Sequence, residues 1–184
     1  MAAYQESCAF AGHRPEALPW TNYDNDPRCE SLRRRLADAI RRAYADGFRH
    51  FLCGMAQGCD LLFCEAVLDL RRERPDITIE AALPYPQQAS RWTLAQRMRH
   101  YELLQACDVQ TPVSPCYTRS CMLKRDRYMV DRAALLLAVY DGVPGGTRYT
   151  IEYALRRGVE VRYIPPLAPP SSEESNDPPY QVPF

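Results

Sequence analysis

The chain has 184 residues, enough for one domain with a substantial core and a short additional segment. It contains 46% hydrophobic and 25% charged residues, a composition typical of soluble globular proteins, and 23 basic residues balance 23 acidic ones. A protein that coats duplex nucleic acid usually has a basic surplus, so the zero net charge argues against nucleic acid as a partner.

The eight cysteines and the first residues of the chain indicate a cytoplasmic protein. The sequence contains no CxxC pair and no histidine at metal-ligand spacing, so we expect no metal site and no required cofactor. Cys8 and Cys53 lie in apolar runs, where a free thiol behaves as a small hydrophobic group. Residues 1–6 lack the features of a signal peptide, and no apolar run is long enough to cross a bilayer. We therefore predict reduced thiols and no membrane association.

Short apolar runs alternate with amphipathic segments along the chain. We predict strands at residues 7–12, 50–54, 77–83, 109–113, 134–140 and 159–164. We predict helices at residues 26–44, 58–73, 91–106, 121–131 and 149–157, the first of which opens on the capping pair Asp26-Pro27. This alternation predicts an α/β protein, a Rossmann-like three-layer α/β/α sandwich with a mostly parallel sheet. Ligands of such folds bind beyond the carboxyl ends of the strands.

The composition changes at residue 165. Pro-Pro pairs beginning at Pro165, Pro169 and Pro178 surround the acidic, serine-rich stretch 171–177. Such a segment cannot bury enough apolar surface to offset the entropy lost on ordering. We therefore predict a domain at residues 1–164 and a Pro-rich, flexible tail at residues 165–184.

The turn at residues 141–147 (DGVPGGT) is the most informative stretch of the chain. It joins a continuous apolar run to a segment with helical spacing. A glycine-rich turn in that position leaves backbone N–H groups unpaired, and these suit a phosphate or another anion. The candidate ligand contacts in this turn are Asp141, Gly145, Gly146 and Thr147. Thr147 is alternatively the N-cap of the following helix.

A second candidate turn, at residues 11–15 (AGHRP), follows the first predicted strand. Gly12 lets the backbone approach a ligand, and Arg14 offers a planar fork that matches phosphate or carboxylate. His13 is a further candidate ligand contact in this turn. In the alternative interpretation, His13 caps a helix and Arg14 pairs with a carboxylate.

The third candidate turn, at residues 54–60 (GMAQGCD), leads from the second predicted strand into a helix. Its small residues permit contact between backbone N–H groups and an anion, aided by the helix dipole. Asp60 holds a ribose hydroxyl or merely complements that dipole. The spacing differs from the GxGxxG dinucleotide fingerprint. The candidate contacts are Gly54, Met55, Ala56, Gly58 and Asp60.

Four further side chains are candidates for ligand binding. Tyr85, after the third predicted strand, and Trp92 can stack on a base, or both belong to the core. Arg127 and Asp131 lie in a strongly charged helix, where they hold a ligand or form a solvated face.

Taken together, these motifs resemble the SLOG superfamily, which unites the LOG phosphoribohydrolases, DNA-processing protein A and several families of unknown function. The resemblance is nearest to the bacterial SLOG family of unknown function that includes YpsA, and it spans residues 8–164. It rests on residues 11–15, 54–60, 127–131 (RYMVD), and 140–142 (YDG) running on to 145–147 (GGT).

The resemblance implies a Rossmann-like sheet with a nucleotide or ADP-ribose-like ligand over the glycine turns, and a sensor or regulatory role. In LOG enzymes a PGGxGTxxE motif supplies a glutamate that takes part in cleaving the base–ribose bond. Residues 144–152 read PGGTRYTIE, with a different spacing, so Glu152 is a candidate catalytic residue and enzymatic activity stays open. A nucleoside-monophosphate N-glycosidase is therefore the alternative, and a single-stranded DNA or protein-partner binding module is a further one. Related folds often self-associate through helices, so we expect a homo-oligomer.

Overall fold

The computed structural model describes residues 4–20 and 25–168, in which one parallel sheet is covered by helices on both faces. The strands are β1 (Ser7–Ala11), β2 (His50–Cys53), β3 (Thr78–Leu83), β4 (Val109–Pro112), β5 (Leu135–Val139) and β6 (Glu160–Ile164). The α-helices are α1 (Pro27–Ala45), α2 (Cys59–Glu73), α3 (Leu94–Ala106), α4 (Cys121–Val130) and α5 (Gly146–Arg156). The predicted Rossmann-like α/β/α fold is confirmed, and every strand pairing is parallel. The predicted tail lies almost wholly outside the described residues.

Capping explains where the observed helices begin. The Asp26 side chain accepts a hydrogen bond from the Arg28 backbone N–H at 2.8 Å, which confirms the predicted start of α1. Helix α3 begins at Leu94, later than predicted, because Thr93 and Gln96 form a reciprocal capping box. Helix α5 begins at Gly146, earlier than predicted, and its N-cap position is Gly145. Of the two interpretations of Thr147, the one that makes it the N-cap of this helix is therefore wrong.

The order of the strands determines where the sheet opens. It is β4-β3-β2-β1-β5-β6, so the chain runs outward from β1 to β4 and then returns to place β5 on the other side of β1. Ala11 pairs with Ala138 at the carboxyl ends of these two neighbours. Because the strand order reverses between β1 and β5, the turns that follow them diverge and leave a crevice.

Two apolar cores, one on each face of the sheet, hold the helices in place. Along β1, Cys8 and Phe10 belong to the core beneath α1 and α2, while Ala9 and Ala11 belong to the core beneath α4 and α5. This alternation is what the two-residue period of a strand dictates. Phe10 stacks on Phe63 of α2 with ring centroids 4.3 Å apart. None of the helices in residues 4–20 and 25–168 is both long and apolar enough to span a membrane.

The turn after β1 packs directly against the start of α2. The Cys59 N–H donates to the His13 carbonyl at 3.1 Å, and Gly58 has a φ of +87°. A Cβ at Gly58 would lie 2.7 Å from the same carbonyl oxygen, and a Cβ at Gly12 would lie 2.5 Å from Cys59 Cβ. Both glycines are therefore required for the close approach of two backbone segments.

We expect Gly58→Ala to destabilise the fold more than Gly158→Ala. Gly158 also has a positive φ, of +73°, but a Cβ there would meet nothing within 4 Å, so the control carries only a conformational cost of about 1–2 kcal/mol. Alanine at position 58 would in addition push the His13 turn away from α2, which should lower the free energy of unfolding by about 1–3 kcal/mol more. Urea unfolding of both variants measures the difference. Equal free energies of unfolding would contradict the close approach.

Candidate functional site

A cleft of about 300 Å³ opens at the carboxyl ends of β1 and β5, where the strand order reverses. Two of its walls are the turn after β1 and the turn that leads into α5, and the start of α2 and the first turns of α4 close the remaining sides. The predicted residues that line it are Gly12, His13, Arg14, Ala56, Asp60, Gly145, Gly146 and Thr147. The structure thus brings parts of all three predicted turns to one cleft.

A hydrogen bond between side chains joins the two turns at the reversal point. His13 Nε2 lies 2.9 Å from Asp141 Oδ1, and the same oxygen accepts the Val143 N–H at 3.1 Å. The His13 side chain is buried, and Asp141 is about one-third exposed. Both residues therefore fix the shape of the cleft from its edge.

The N-terminus of α5 faces the cleft with exposed backbone. The first backbone hydrogen bond of this helix runs from the Tyr149 N–H to the Gly145 carbonyl. The N–H groups of Gly146, Thr147 and Arg148 therefore have no acceptor within the helix. A Cβ added at Gly145 or at Gly146 would meet nothing within 4 Å, so open space lies beside this backbone.

The guanidinium of Arg14 reaches the same cleft from the opposite turn. Arg14 is exposed, and its Nη2 lies 3.9 Å from Met122 Sδ, a weak contact. Among the residues that the structure describes, the Arg14 side chain contacts Met122 and forms no ion pair, so the predicted alternative of a carboxylate partner is not seen there. Its donors are available to an anionic ligand.

A buried cation that sequence reasoning missed forms the floor of the cleft. Arg125 is only 6% exposed; its Nη1 donates to the Gly54 carbonyl at 2.5 Å and lies 3.5 Å from Asp60 Oδ2. Its Nε lies 2.7 Å from Asp126 Oδ1. A Cβ at Gly54 would overlap this guanidinium, so a glycine at this position leaves room for the Arg125 side chain. Gly54 does not line the cleft.

Asp60 shares the floor with Arg125. Burial raises the pKa of Asp60 to about 6, although Arg125 and the backbone N–H of Ala56 oppose the rise. The Ala56 N–H donates to Asp60 Oδ2 at 3.1 Å. The carboxyl group therefore organises the turn after β2 and also borders the cleft. Met55 and Gly58 lie outside the lining; Met55, at a φ of 55°, is buried, and its carbonyl accepts from Gln88 Nε2 at 3.0 Å.

The two predicted aromatic contacts lie away from the cleft. Tyr85 packs edge-on against Tyr117 at 5.6 Å, and Trp92 packs against His100 at 5.0 Å. The turn after β3 is two strands from β1, which separates these rings from the reversal point. Part of the apolar surface of the cleft comes instead from Met122 and Leu123 at the start of α4.

Three further predicted residues also lie outside the lining of the cleft. Arg127 Nε donates to the Tyr149 hydroxyl at 2.7 Å, and Asp131 accepts from the Tyr153 hydroxyl at 2.9 Å. Glu152, about 44% exposed, accepts from Arg148 Nε at 2.8 Å. The first two contacts join α4 and its C-cap to α5, the third lies within α5, and none contributes to the cleft.

We expect Arg125→Met to lower the free energy of unfolding by about 3–5 kcal/mol at pH 7.5, because it leaves the Asp60 and Asp126 carboxylates without their cation. The pKa of Asp60 already lies above its ordinary value of 3.8, and the loss of Arg125 raises it further. When the pKa of a group is higher in the folded state than in the unfolded state, its contribution to the free energy of unfolding is fully present below the pKa of the unfolded state. That contribution is lost as the pH rises through the pKa of the folded state. The loss of stability in Arg125→Met (the deficit) should therefore be smaller at pH 5 than at pH 7.5.

Urea unfolding at the two pH values measures this effect. Arg127→Met, on the exposed face of the same helix, is the matched control and should cost less than about 1 kcal/mol. Adding Asp60→Asn to Arg125→Met should remove most of the pH dependence of the deficit. A deficit as large at pH 5 as at pH 7.5 would contradict this assignment.

Two curated relatives are similar to this chain over more than half of its length. Protein YoqJ of Bacillus subtilis, an uncharacterised SPbeta prophage-derived protein, is 30% identical over 116 residues, which cover 56% of this chain and 68% of that protein. A UPF0398 protein of Halalkalibacterium halodurans is 27% identical over 135 residues, which cover 72% of this chain and 71% of that protein.

Two solved structures share the fold. DNA processing protein A from Streptococcus pneumoniae superposes with a TM-score of 0.58 at 14% identity, over 88% of this chain and 50% of that one. The Helicobacter pylori protein of the same name, described as binding single-stranded DNA, superposes with a TM-score of 0.58 at 12% identity, over 88% of this chain and 66% of that one. At these identities the likeness shows the fold alone.

The match to a family model covers the whole run of motifs from β1 to β6. The model, YpsA, described as the YspA SLOG family, matches residues 8–164. The chain therefore belongs to the YpsA SLOG family.

Proposed function

We propose that the cleft binds a nucleotide or a nucleotide-derived metabolite, and that the protein is a cytoplasmic sensor or regulatory module. The observation that carries this proposal is the pairing of two anion-binding elements across one cleft. The open N-terminus of α5 supplies backbone N–H groups, and Arg14 supplies a guanidinium without an ion-pair partner among the described residues. A phosphate group between them would accept charge-assisted hydrogen bonds from both sides.

The remaining walls suit the other parts of a nucleotide. Asp60 and Asp126 border the cleft with carboxylate oxygens, which accept hydrogen bonds from ribose hydroxyls. Met122 and Leu123 offer an apolar surface against which a base can pack. A volume of about 300 Å³ is at the lower end of the range for small-molecule sites, which favours a mononucleotide or a part of a larger ligand.

The geometry favours binding over hydrolysis through Glu152. An N-glycosidase needs a carboxylate at the reacting bond, and the Glu152 side chain lies on the exposed face of α5 in an ion pair with Arg148. The proposed function therefore assigns no catalytic role to Glu152. Self-association of the chain stays a prediction.

Single-stranded DNA is a second candidate ligand for the same cleft. It is favoured by the fold shared with the Helicobacter pylori protein, which is described as binding single-stranded DNA. A strand of DNA would place a backbone phosphate where the proposal places the nucleotide phosphate. The two candidates differ in their salt dependence, because several phosphate contacts make DNA affinity fall steeply with salt.

We expect a thermal-shift screen of nucleoside mono- and diphosphates, ADP-ribose, NAD and cyclic nucleotides to yield a stabilising ligand. A ligand at 100 times its Kd stabilises the fold by about 2.7 kcal/mol. Gly146→Asp should abolish the shift, since it places a carboxylate beside the N–H groups of α5 in a space that a side chain can enter. Leu155→Asp is the matched control, because it adds the same charge on the exposed side of the same helix.

The screen also separates the two ligand classes. A short labelled oligonucleotide is tested beside the mononucleotides. If it binds with a steep salt dependence and no mononucleotide shifts the melting temperature, the ligand of the cleft is single-stranded DNA. Unchanged binding of either ligand by a folded Gly146→Asp variant would show that the cleft is not the site.

We further expect Arg14→Gln to raise the Kd of the identified ligand about 10- to 100-fold, the equivalent of losing a hydrogen bond to a charged group worth about 1.5–3 kcal/mol. The thermal stability of the free protein should change little, because Arg14 is exposed and the only hydrogen bond described for its side chain is the weak contact with Met122. Isothermal titration calorimetry measures the affinity. Arg119→Gln, another exposed arginine, should bind as the unmodified chain does.

A further inference from the structure

Three cysteine thiols lie together beside α2. Cys64 Sγ is 4.0 Å from Cys107 Sγ, and Cys53 Sγ donates to the Asp60 carbonyl at 3.2 Å. Cys53 and Cys64 are part of the core between the sheet and its helices, and Cys107 packs against that core at the end of α3. The sequence showed no sign of this cluster, because the three residues are far apart along the chain.

Access to solvent distinguishes Cys107 from its neighbours. Cys53 and Cys64 are buried, whereas Cys107 is partly exposed. The guanidinium of Arg71 flanks it, with Nη2 donating to the Ala106 carbonyl at 2.8 Å and Nη1 to Asp108 at 2.8 Å. A small oxidant in solution can therefore reach Cys107 first.

The two sulfurs also differ in acidity. The hydrogen bond from Cys64 lowers the pKa of Cys107, and Arg71 acts in the same direction against burial and Asp108. The pKa of Cys64 is raised by its contacts with the other two thiols and by burial. Because the thiolate is the nucleophilic form of cysteine, Cys107 is the more reactive of the pair.

We propose that Cys64 and Cys107 are a redox-active dithiol, which hydrogen peroxide converts into a disulfide between α2 and the end of α3. The Cys107 thiolate attacks one peroxide oxygen, the O–O bond breaks, and hydroxide leaves to become water on protonation. The resulting sulfenic acid is attacked by Cys64 sulfur, the S–O bond breaks, and the second water carries away the Cys64 proton. Two thiols lose two electrons, and one peroxide is reduced to two waters.

The geometry requires only a small movement for the second step. A disulfide has its sulfurs about 2.05 Å apart, so the two atoms must approach by about 2 Å. Rotation of the partly exposed Cys107 side chain can supply most of this distance. The bond would connect α2, whose first turn borders the cleft, to a helix that the cleft does not use.

Peptide mapping of the full chain tests this proposal. The reduced protein is treated with hydrogen peroxide, its remaining thiols are alkylated in denaturant, and it is digested with trypsin without reduction. We expect the free thiols to fall from eight to six per chain. A cross-link between peptides 50–71 and 100–119 should then weigh two hydrogens less than the sum of the two peptides with their three remaining cysteines alkylated.

Those two peptides also contain Cys53, Cys59 and Cys116, so variants identify the linked sulfurs. Cys64→Ser and Cys107→Ser should each abolish the cross-link. Cys59→Ser, which alters a buried thiol in the first peptide, and Cys116→Ser, which alters an exposed thiol in the second, are matched controls that should retain it.

Fragmentation of the cross-linked peptide from the unmodified chain gives the same assignment without relying on the folding of any variant. A bond between Cys53 and Cys64, a bond that involves Cys116, or oxidation of Cys107 without any cross-link would overturn the proposal.

Discussion

The site depends on one buried guanidinium. Arg125 reaches from α4 to the carboxyl end of β2, where it binds the Gly54 carbonyl and faces the carboxylates of Asp60 and Asp126. A charge at that depth is tolerated only if its partners offset the loss of hydration. The consequence is a helix held at a fixed distance from the strand ends, and that distance forms one side of the cleft.

The charges around the cleft are arranged unevenly. Arg125 faces two carboxylates on the floor, and the pKa of Asp60 stays raised, so this side has no spare positive charge for an anion. The N-terminus of α5 and Arg14, by contrast, both favour negative charge. A ligand with a phosphate at one end and hydroxyl donors at the other matches this polarity, which is why a nucleotide fits the proposal better than a simple anion.

The sequence was sufficient to predict the fold class and the turns after β1, β2 and β5, because glycines that separate an apolar run from a helical segment mark where a strand ends and a turn begins. It did not reveal the strand order, so the turn after β3 was expected at the site although it lies two strands from β1. Arg125 was hidden within a run of charged residues that resembles a solvated helix face. Its spacing of four residues from the buried Cys121 and Met129 was the one signal of its inward position. Gly54 and Gly58 illustrate a related limit, since a glycine needed for packing and a glycine needed for a ligand look the same in a sequence.

Backbone amide NMR of the 15N-labelled chain, titrated with ADP-ribose and with adenosine monophosphate, tests the central claim most directly. The account predicts that the amide signals of Gly12, Gly145, Gly146 and Thr147 move first and furthest, because these residues line the cleft beside the proposed phosphate position. Signals that move instead on the exposed faces of α4 and α5, around Arg127 and Tyr149, or no movement with either nucleotide, would contradict it.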